Sequence, residues 1–299
     1  MKPQARGAAT TDQADAQYEV GVAHYALGGE DSVLQAEVCW REAANFGHAG
    51  AQYNLGIVLY ERADARSVAE AEWRWCQAAE NGHAGAQYNL GVLLDLRGDI
   101  SGAEQWWRRS GGAGNSTALH NLGVLLLDRA PDEAEDCWRQ AAFAGNAAAQ
   151  YDLCALLARR GDVESEMWLR RAAESGHPDA QHDLGHVLQL QSDSSSISEV
   201  ECWWQRAAGA GHCEAQYNLG ALLYARGDMP GAERWWRSAA EVDHVSAQHG
   251  LAVLLFQHGD GDSLAEAGRW WHAAASAGHI KARNNLRALR ELSANGDER

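Results

Sequence analysis

The phrase HAGAQYNLG stands at 48–56 and again, unchanged, at 83–91. Shorter forms of its second half open at 16, 51, 86, 118, 149, 180, 215 and 247 (AQYEVG, AQYNLG, AQYNLG, ALHNLG, AQYDLC, AQHDLG, AQYNLG, AQHGLA), and a fragment, ARNNLR, opens at 282. The steps between openings are 35, 35, 32, 31, 31, 35, 32 and 35 residues. A period of that length belongs to stacked helical hairpins, in which each unit needs its neighbours to cover its apolar side. The phrase is therefore a structural part that recurs, and the chain is expected to be an array.

Each unit divides into two helices, such as 86–98 and 100–113. In the first, Leu90, Val92, Leu93, Leu94 and Leu96 form a broad apolar face, and Gly91 removes a side chain where another helix must come close. In the second, Ala103, Trp107 and Ser110 fall on one stripe at i, i+4 and i+7. Eleven residues always separate the second-helix aromatic slot from the next opening Ala, as from Trp40 to Ala51 and Trp107 to Ala118. Length varies inside the hairpin, in GGEDSVLQ, ERADARSVAE, QSDSSSISE and QHGDGDSLAE, where a bulging loop costs little entropy. Gly-His or Gly-Asn pairs (Gly47-His48, Gly82-His83, Gly114-Asn115, Gly145-Asn146, Gly176-His177, Gly211-His212, Gly278-His279) end most second helices, with Gly in the left-handed C′ conformation and the following His or Asn as N-cap. Asp99, Asp132, Asp162 and Asp228 are expected to cap second helices, with Asp132 and Glu135 spaced as a capping box.

Composition agrees with an all-α chain: 46% of the 299 residues are hydrophobic, only four are Pro, and no stretch alternates in the manner of strands. A formal charge of −16 with no segregated basic stripe argues against nucleic acid and anionic lipid. No apolar run approaches the roughly 18 residues of a membrane span, and no signal-peptide h-region is present, so a cytoplasmic protein is expected. The six cysteines show no CxxC and no recurring pair, which suits reduced, packing residues.

The sequence LGxxL, then Ala-x3-Trp, then AAExGHxxAQ resembles the Sel-one-like repeat, a relative of the tetratricopeptide repeat, over about 16–292. Gly91, Ala103 and Trp107 reproduce the tetratricopeptide spacing, as do Gly220, Ala232 and Trp236. The departures are Ser165 and Leu169 for the Ala and the aromatic of the fifth unit, Cys154 for its Gly, and Trp for the usual Tyr after the tryptophan. The resemblance implies a right-handed α-solenoid of about eight hairpins whose concave wall binds another protein. A secreted subgroup with a disulfide in each repeat is associated with β-lactams; this chain lacks those paired cysteines. Residues 1–13 fall outside the period and are expected to be disordered, 14–292 form the array with a capping helix from 282, and 293–299 form a flexible tail.

Twelve of the thirteen tryptophans occupy two adjacent second-helix slots. The inner slot (Trp40, Trp75, Trp107, Trp138, Trp204, Trp236, Trp271) reads as core. Its neighbour (Trp106, Trp168, Trp203, Trp235, Trp270) reads as packing between units or as a ridge facing a partner. Glu four before Arg, as in Glu37 and Arg41, Glu104 and Arg108, Glu135 and Arg139, Glu166 and Arg170, and Glu233 and Arg237, reads as exposed helix ion pairs. His182 and His186, one turn apart, could share a metal, yet HDLGH lacks the HExxH glutamate and a third ligand.

The preferred binding surface is the first-helix wall implied by the resemblance. It comprises Tyr53, Asn54, Ile57 and Tyr60; Tyr88, Asn89, Val92 and Asp95; and His120, Asn121, Val124 and Leu127. Tyr151, His182 and His186 follow, then Tyr217, Asn218 and Tyr224, and His249, Val253 and Phe256. Aromatic, apolar and amide groups together suit a peptide or helix, although the same Tyr and Asn would also serve as packing between hairpins. A non-catalytic protein-interaction scaffold with a protein or peptide partner, no cofactor and no membrane insertion is therefore expected. A hydrolase of cell-wall or β-lactam-like substrates and a metal sensor through His182 and His186 are the alternatives; no nucleophile, base and orienter stand at meaningful spacing. Partner and oligomeric state are not encoded legibly.

Overall fold

The computed structural model describes the backbone over 3–191 and 197–296 and side chains over 11–191 and 197–291. Among the described residues every regular element is an α-helix. The helices are α1 (Pro3–Leu27), α2 (Glu30–Asn45), α3 (Ala49–Glu61), α4 (Ala65–Glu80), α5 (Ala84–Leu96), α6 (Ile100–Gly112), α7 (Ser116–Leu126), α8 (Pro131–Phe143), α9 (Ala147–Arg159), α10 (Glu164–Glu174), α11 (Pro178–Gln191), α12 (Ile197–Gly209), α13 (Cys213–Ala225), α14 (Met229–Glu241), α15 (Val245–His258), α16 (Gly261–Ser276) and α17 (Ile280–Gly296). Two compact units divide the chain, the first to Ala149 and the second from Gln150.

In the first unit α1 packs on α2, α3 on α4, α5 on α6 and α7 on α8, and α2, α4 and α6 also meet the next first helix. The second unit repeats the pattern, ending with α17 against α16. This is an all-α solenoid of helical hairpins. The phrase AQxxLG explains the stacking. Its Ala is fully buried in the openings at 51, 86, 118, 149, 180, 215 and 247. Its Gln donates from Nε2 to a carbonyl at the end of the preceding second helix: Gln52 to Ala44, Gln87 to Ala79, Gln181 to Ala173, Gln216 to Ala208 and Gln248 to Ala240. One side chain thus closes a helix terminus and ties consecutive hairpins.

Within a hairpin the tie is the inner tryptophan. Its indole Nε1 donates to the carbonyl of the first-helix aromatic slot, from Trp40 to Tyr18, Trp75 to Tyr53, Trp107 to Tyr88, Trp138 to His120, Trp204 to His182 and Trp236 to Tyr217, at 3.1–3.3 Å. The glycine of the phrase makes this possible: a Cβ on Gly56 would lie 2.3 Å from the Trp75 indole. The exceptions follow the same logic. Cys154 stands opposite Leu169, and Ala252 stands opposite Trp271, whose indole N–H has no hydrogen-bond partner among the described residues.

Several expectations change in detail. Of the segment 1–13, residues 1 and 2 lie outside the described residues, and α1 starts at Pro3, a residue suited to a helix's first turn. Of the tail from 293, α17 covers residues to Gly296, and 297–299 lie outside the described residues, as do 192–196 of the loop QSDSSSISE. Asp99 and Asp228 cap α6 and α14, and Asp162 accepts from Glu164 N. The Asp132–Glu135 capping box does not form: Pro131 takes the first helical position, so the cap falls on Ala130 and Asp132 is already inside the turn. Asp64 and Asp260, inside the longer loops, are further caps. The Glu-Arg pairs form at 37/41, 104/108, 135/139 and 233/237, whereas Arg170 reaches Glu199 on the next second helix. Arg41, Arg108 and Arg237 likewise bridge to Glu70, Glu133 and Glu266 of the following hairpin, so the charged face is a ladder along each unit.

Candidate interaction surface

The residue after each left-handed turn position, Gly in most turns and Asp243 before His244, fixes the first-helix wall. Nδ1 of His48, His83, His177, His212, His244 and His279 accepts from the backbone N–H three residues on, at 3.0–3.4 Å, and Asn115 and Asn146 do the same with Oδ1. In this cap Nδ1 is the accepting nitrogen, which leaves Nε2 as the one free to donate. The preceding unit's aromatic slot lies flat on this ring: Tyr18 on His48, Tyr53 on His83, Tyr151 on His177, His182 on His212, Tyr217 on His244 and His249 on His279, with centroids 4.3–5.0 Å apart. These six rings are stacked between consecutive hairpins. Burial raises the Tyr53 phenol and lowers the His83 imidazole.

Two turns further, Tyr60, Tyr224 and Phe256 tilt against the inner tryptophans Trp75, Trp236 and Trp271 of their own hairpins. Between neighbouring first helices this leaves hollows. In the first unit, one of 190 Å³ is lined by Val22, Tyr25, Ala26, Trp40, Asn54, Ile57 and Val58. A second of 190 Å³ is lined by Ile57, Tyr60, Glu61, Trp75, Asn89, Val92 and Leu93. Each residue of the second set is the first set's counterpart 35 positions later, and Ile57 belongs to both. Asn54 and Asn89 stand half-buried at equivalent points without a side-chain partner among the described residues. Asp95 and Val124 are exposed on the same helices but line neither hollow, and Tyr88, His120 and Asn121 are half-buried.

The wall of the second unit is polar. Tyr151 Oη donates to Asp183 Oδ2 at 2.8 Å, His182 Nδ1 lies 3.0 Å from Asp183 Oδ1, and Asn218 Nδ2 lies 3.1 Å from His182 Nε2. Burial, then the bond to Asp183, holds the Tyr151 phenol well above its ordinary range, while the His182 and Tyr151 bonds lower Asp183. Hollows of 550 and 460 Å³ flank His182 and His186. Cys154 borders the smaller one, where burial raises its thiol, and both ring nitrogens of His182 are engaged by Asp183 and Asn218. His182 and His186 have centroids 6.5 Å apart, and no group of three or more metal-ligating side chains occurs among the described residues.

The neighbouring tryptophan slot serves as packing. Trp168 and Trp203 are buried, and guanidinium groups of Arg171 and Arg206 cover their rings, as Arg109 covers half-buried Trp106. The six cysteines are free. Among the described residues no helix is long and apolar enough to cross a membrane.

No protein-family model and no curated protein matches the chain. Among solved structures, a Sel1 repeat protein from Oxalobacter formigenes aligns with TM-score 0.65 and 25% identity over 96% of this chain and 90% of that one. The protein c5321, a protective antigen of uropathogenic Escherichia coli with an SLR fold, aligns with TM-score 0.65 and 24% identity over 91% of this chain, which spans 63% of that longer protein. The fold is thus that of Sel1-like repeat scaffolds, as the repeated phrase implies.

Proposed function

We propose that the chain is a protein-interaction scaffold whose first unit binds an extended peptide along its first helices. The observation that supports this reading is the pair of equal, mostly apolar hollows repeated at a 35-residue interval and sharing Ile57. Neighbouring packed helices lie roughly 8–10 Å apart, and one turn of a polyproline II segment advances about 9.3 Å in three residues. A peptide in that form with apolar side chains at i and i+3 places one in each hollow. The unpartnered amides of Asn54 and Asn89 then meet its backbone, which in this form has no internal hydrogen bonds. Glu61 and the carboxyl ends of α1 and α3 make the hollows electronegative, as does the net charge of −16, so the residues between the anchors are basic.

The test is a fluorescence titration with proline-rich peptides carrying Leu at every third position and Lys between, against peptides of the same composition with shifted spacing. Tighter binding of the three-residue spacing is expected, with Ile57→Asp weakening it at least about tenfold while the far-ultraviolet signal and Tm stay near wild type. Indifference to spacing, or to Ile57→Asp, would sink the assignment.

A further inference from the structure

We infer that the second unit takes arginine side chains of an extended partner, three residues apart, in the two hollows that share His186. The first step is a comparison of register. Both hollows lie where the first unit has its own, between consecutive first helices (here α9 and α11, then α11 and α13) and over the inner second-helix slot, with His186 common to both as Ile57 is in the first unit. Their walls differ. Ala155 and Ala158 stand where the first unit has Val22 and Tyr25, and Leu169 stands where it has Trp40, so the hollow widens from 190 to 460 Å³. In the other, Ala221 and Gln189 take the places of Val92 and Tyr60, and the volume reaches 550 Å³. Hollows this wide admit a long side chain laid along an apolar wall.

The second step is charge. Asp183 holds the place of Asn54 and Asn89, which sets a carboxylate in the wall of the 460 Å³ hollow, and Glu214 lines the other. Neither carboxylate meets a Lys or Arg among the described residues, and no Lys or Arg lines either hollow. Asp183 is held instead by His182 Nδ1, whose Nε2 faces the Asn218 amide, and by the Tyr151 hydroxyl, and these two bonds lower its pKa. Glu214 lies 3.2 Å from His244 Nε2, the nitrogen that the helix cap leaves to donate. Such donors orient a carboxylate without supplying a fixed cation, and a carboxylate has about four lone-pair sites, so acceptor capacity remains on each. An arginine matches both features: its apolar stem covers Ala155, Ala158 and Leu169, and its planar guanidinium meets the carboxylate. Packed helices lie roughly 8–10 Å apart and polyproline II advances about 9.3 Å in three residues, so arginines at i and i+3 reach Asp183 and Glu214 together. These hollows are separate from those of the first unit, and the inference stands or falls apart from them.

Fluorescence polarisation of the full chain with a labelled proline-rich peptide carrying Arg at every third position tests it, in about 150 mM salt to screen attraction to the net charge. Citrulline in place of each Arg keeps the shape and removes the charge, and is expected to weaken binding at least about tenfold. Lys in place of Arg should also bind more weakly. Asp183→Asn should weaken the Arg peptide at least about tenfold, whereas Asp95→Asn, which removes the same charge from an exposed first-unit position, should not. Ala155→Leu narrows the hollow without changing charge or the Tyr151–Asp183–His182 bonds, and should weaken binding as well. Equal binding of the citrulline or Lys peptide, equal loss from Asp95→Asn, or binding unchanged by Ala155→Leu overturns the inference. Binding that falls with Ile57→Asp but not with Asp183→Asn would put the peptide in the first unit, overturning this inference and leaving the first-unit reading intact.

Discussion

At the scale of the residue, three positions that look interchangeable in sequence act as one device: the glycine of the phrase, the inner tryptophan and the carbonyl it reaches. A Cβ on Gly91 would lie 2.4 Å from the ring of Trp107, so Gly91→Ala is expected to cost about 1–3 kcal/mol, more than the roughly 1 kcal/mol that Ala gains in helix propensity. The natural Cys154 and Leu169 pair implies that Trp107→Leu relieves part of this penalty, a coupling that a double-mutant cycle by denaturant titration would read. Asp243, at φ 63°, holds the left-handed turn position that glycine holds in the other hairpins; Asp243→Gly should stabilise by about 0.5–1 kcal/mol, visible as a higher denaturation midpoint. His83 is an obligatory acceptor, packed on Tyr53 and sensing His48, and burial lowers its pKa. Its contribution is complete above the ordinary histidine value of about 6.5 and is lost as pH falls through that value to the depressed folded one, because the unfolded chain takes up the proton first. His83→Asn, the residue type already present at 115 and 146, should keep the cap and flatten the loss of Tm between pH 7 and pH 5 at this site. The glycines and tryptophans could be read as packing from spacing alone. The glutamine of AQ could not, because its acceptor is a carbonyl eight residues back that becomes a neighbour only after the chain turns.

At the scale of the element, each second helix presents three faces, and the sequence pattern gave them unequal clarity. The apolar stripe of Ala and Trp was legible from i, i+4, i+7 spacing. The ion pairs at i, i+4 were legible too, but their extension into a ladder was not, since Arg108 meets Glu133 through stacking of hairpins rather than through helical periodicity. Glu104 accepts from both Arg108 and Arg129, and these bonds lower its pKa. Exposed pairs of this kind contribute roughly 0.2–1 kcal/mol, so Glu104→Gln is expected to lower stability by no more than about 1 kcal/mol, with the loss shrinking in high salt. For the first helices the aromatic slot resisted sequence reading for a related reason: Tyr53 on an amphipathic helix looks the same whether it awaits a ligand or lies on His83. The candidate residues that line the first unit's hollows, Asn54, Ile57, Tyr60, Asn89 and Val92, sit one position, one turn or two turns beyond that slot, whereas Tyr151 and His182 of the slot itself line hollows in the second unit.

At the scale of the whole molecule, the contacts within each unit run chiefly between helices adjacent in sequence, so stability in each unit is a sum of hairpin and nearest-interface contributions. Amide hydrogen exchange should therefore show stronger protection in helices flanked on both sides within a unit, such as α4 to α6 and α13 to α15, than in α1 and α17, whose contacts among the described residues run chiefly to one helix each. Uniform protection across all helices would contradict additive stacking. The amino-acid sequence by itself determined the period, the helical hairpins, their caps and the buried Ala, Leu and Trp positions, because these depend on local propensity and on a repeat in which every unit meets the same neighbour. Only the tertiary structure decided which aromatic rings are spent on packing and which amides stay unpartnered among the described residues. Those outcomes depend on distances between residues about 20 to 35 positions apart, and such distances exist only once one hairpin has been laid against the next.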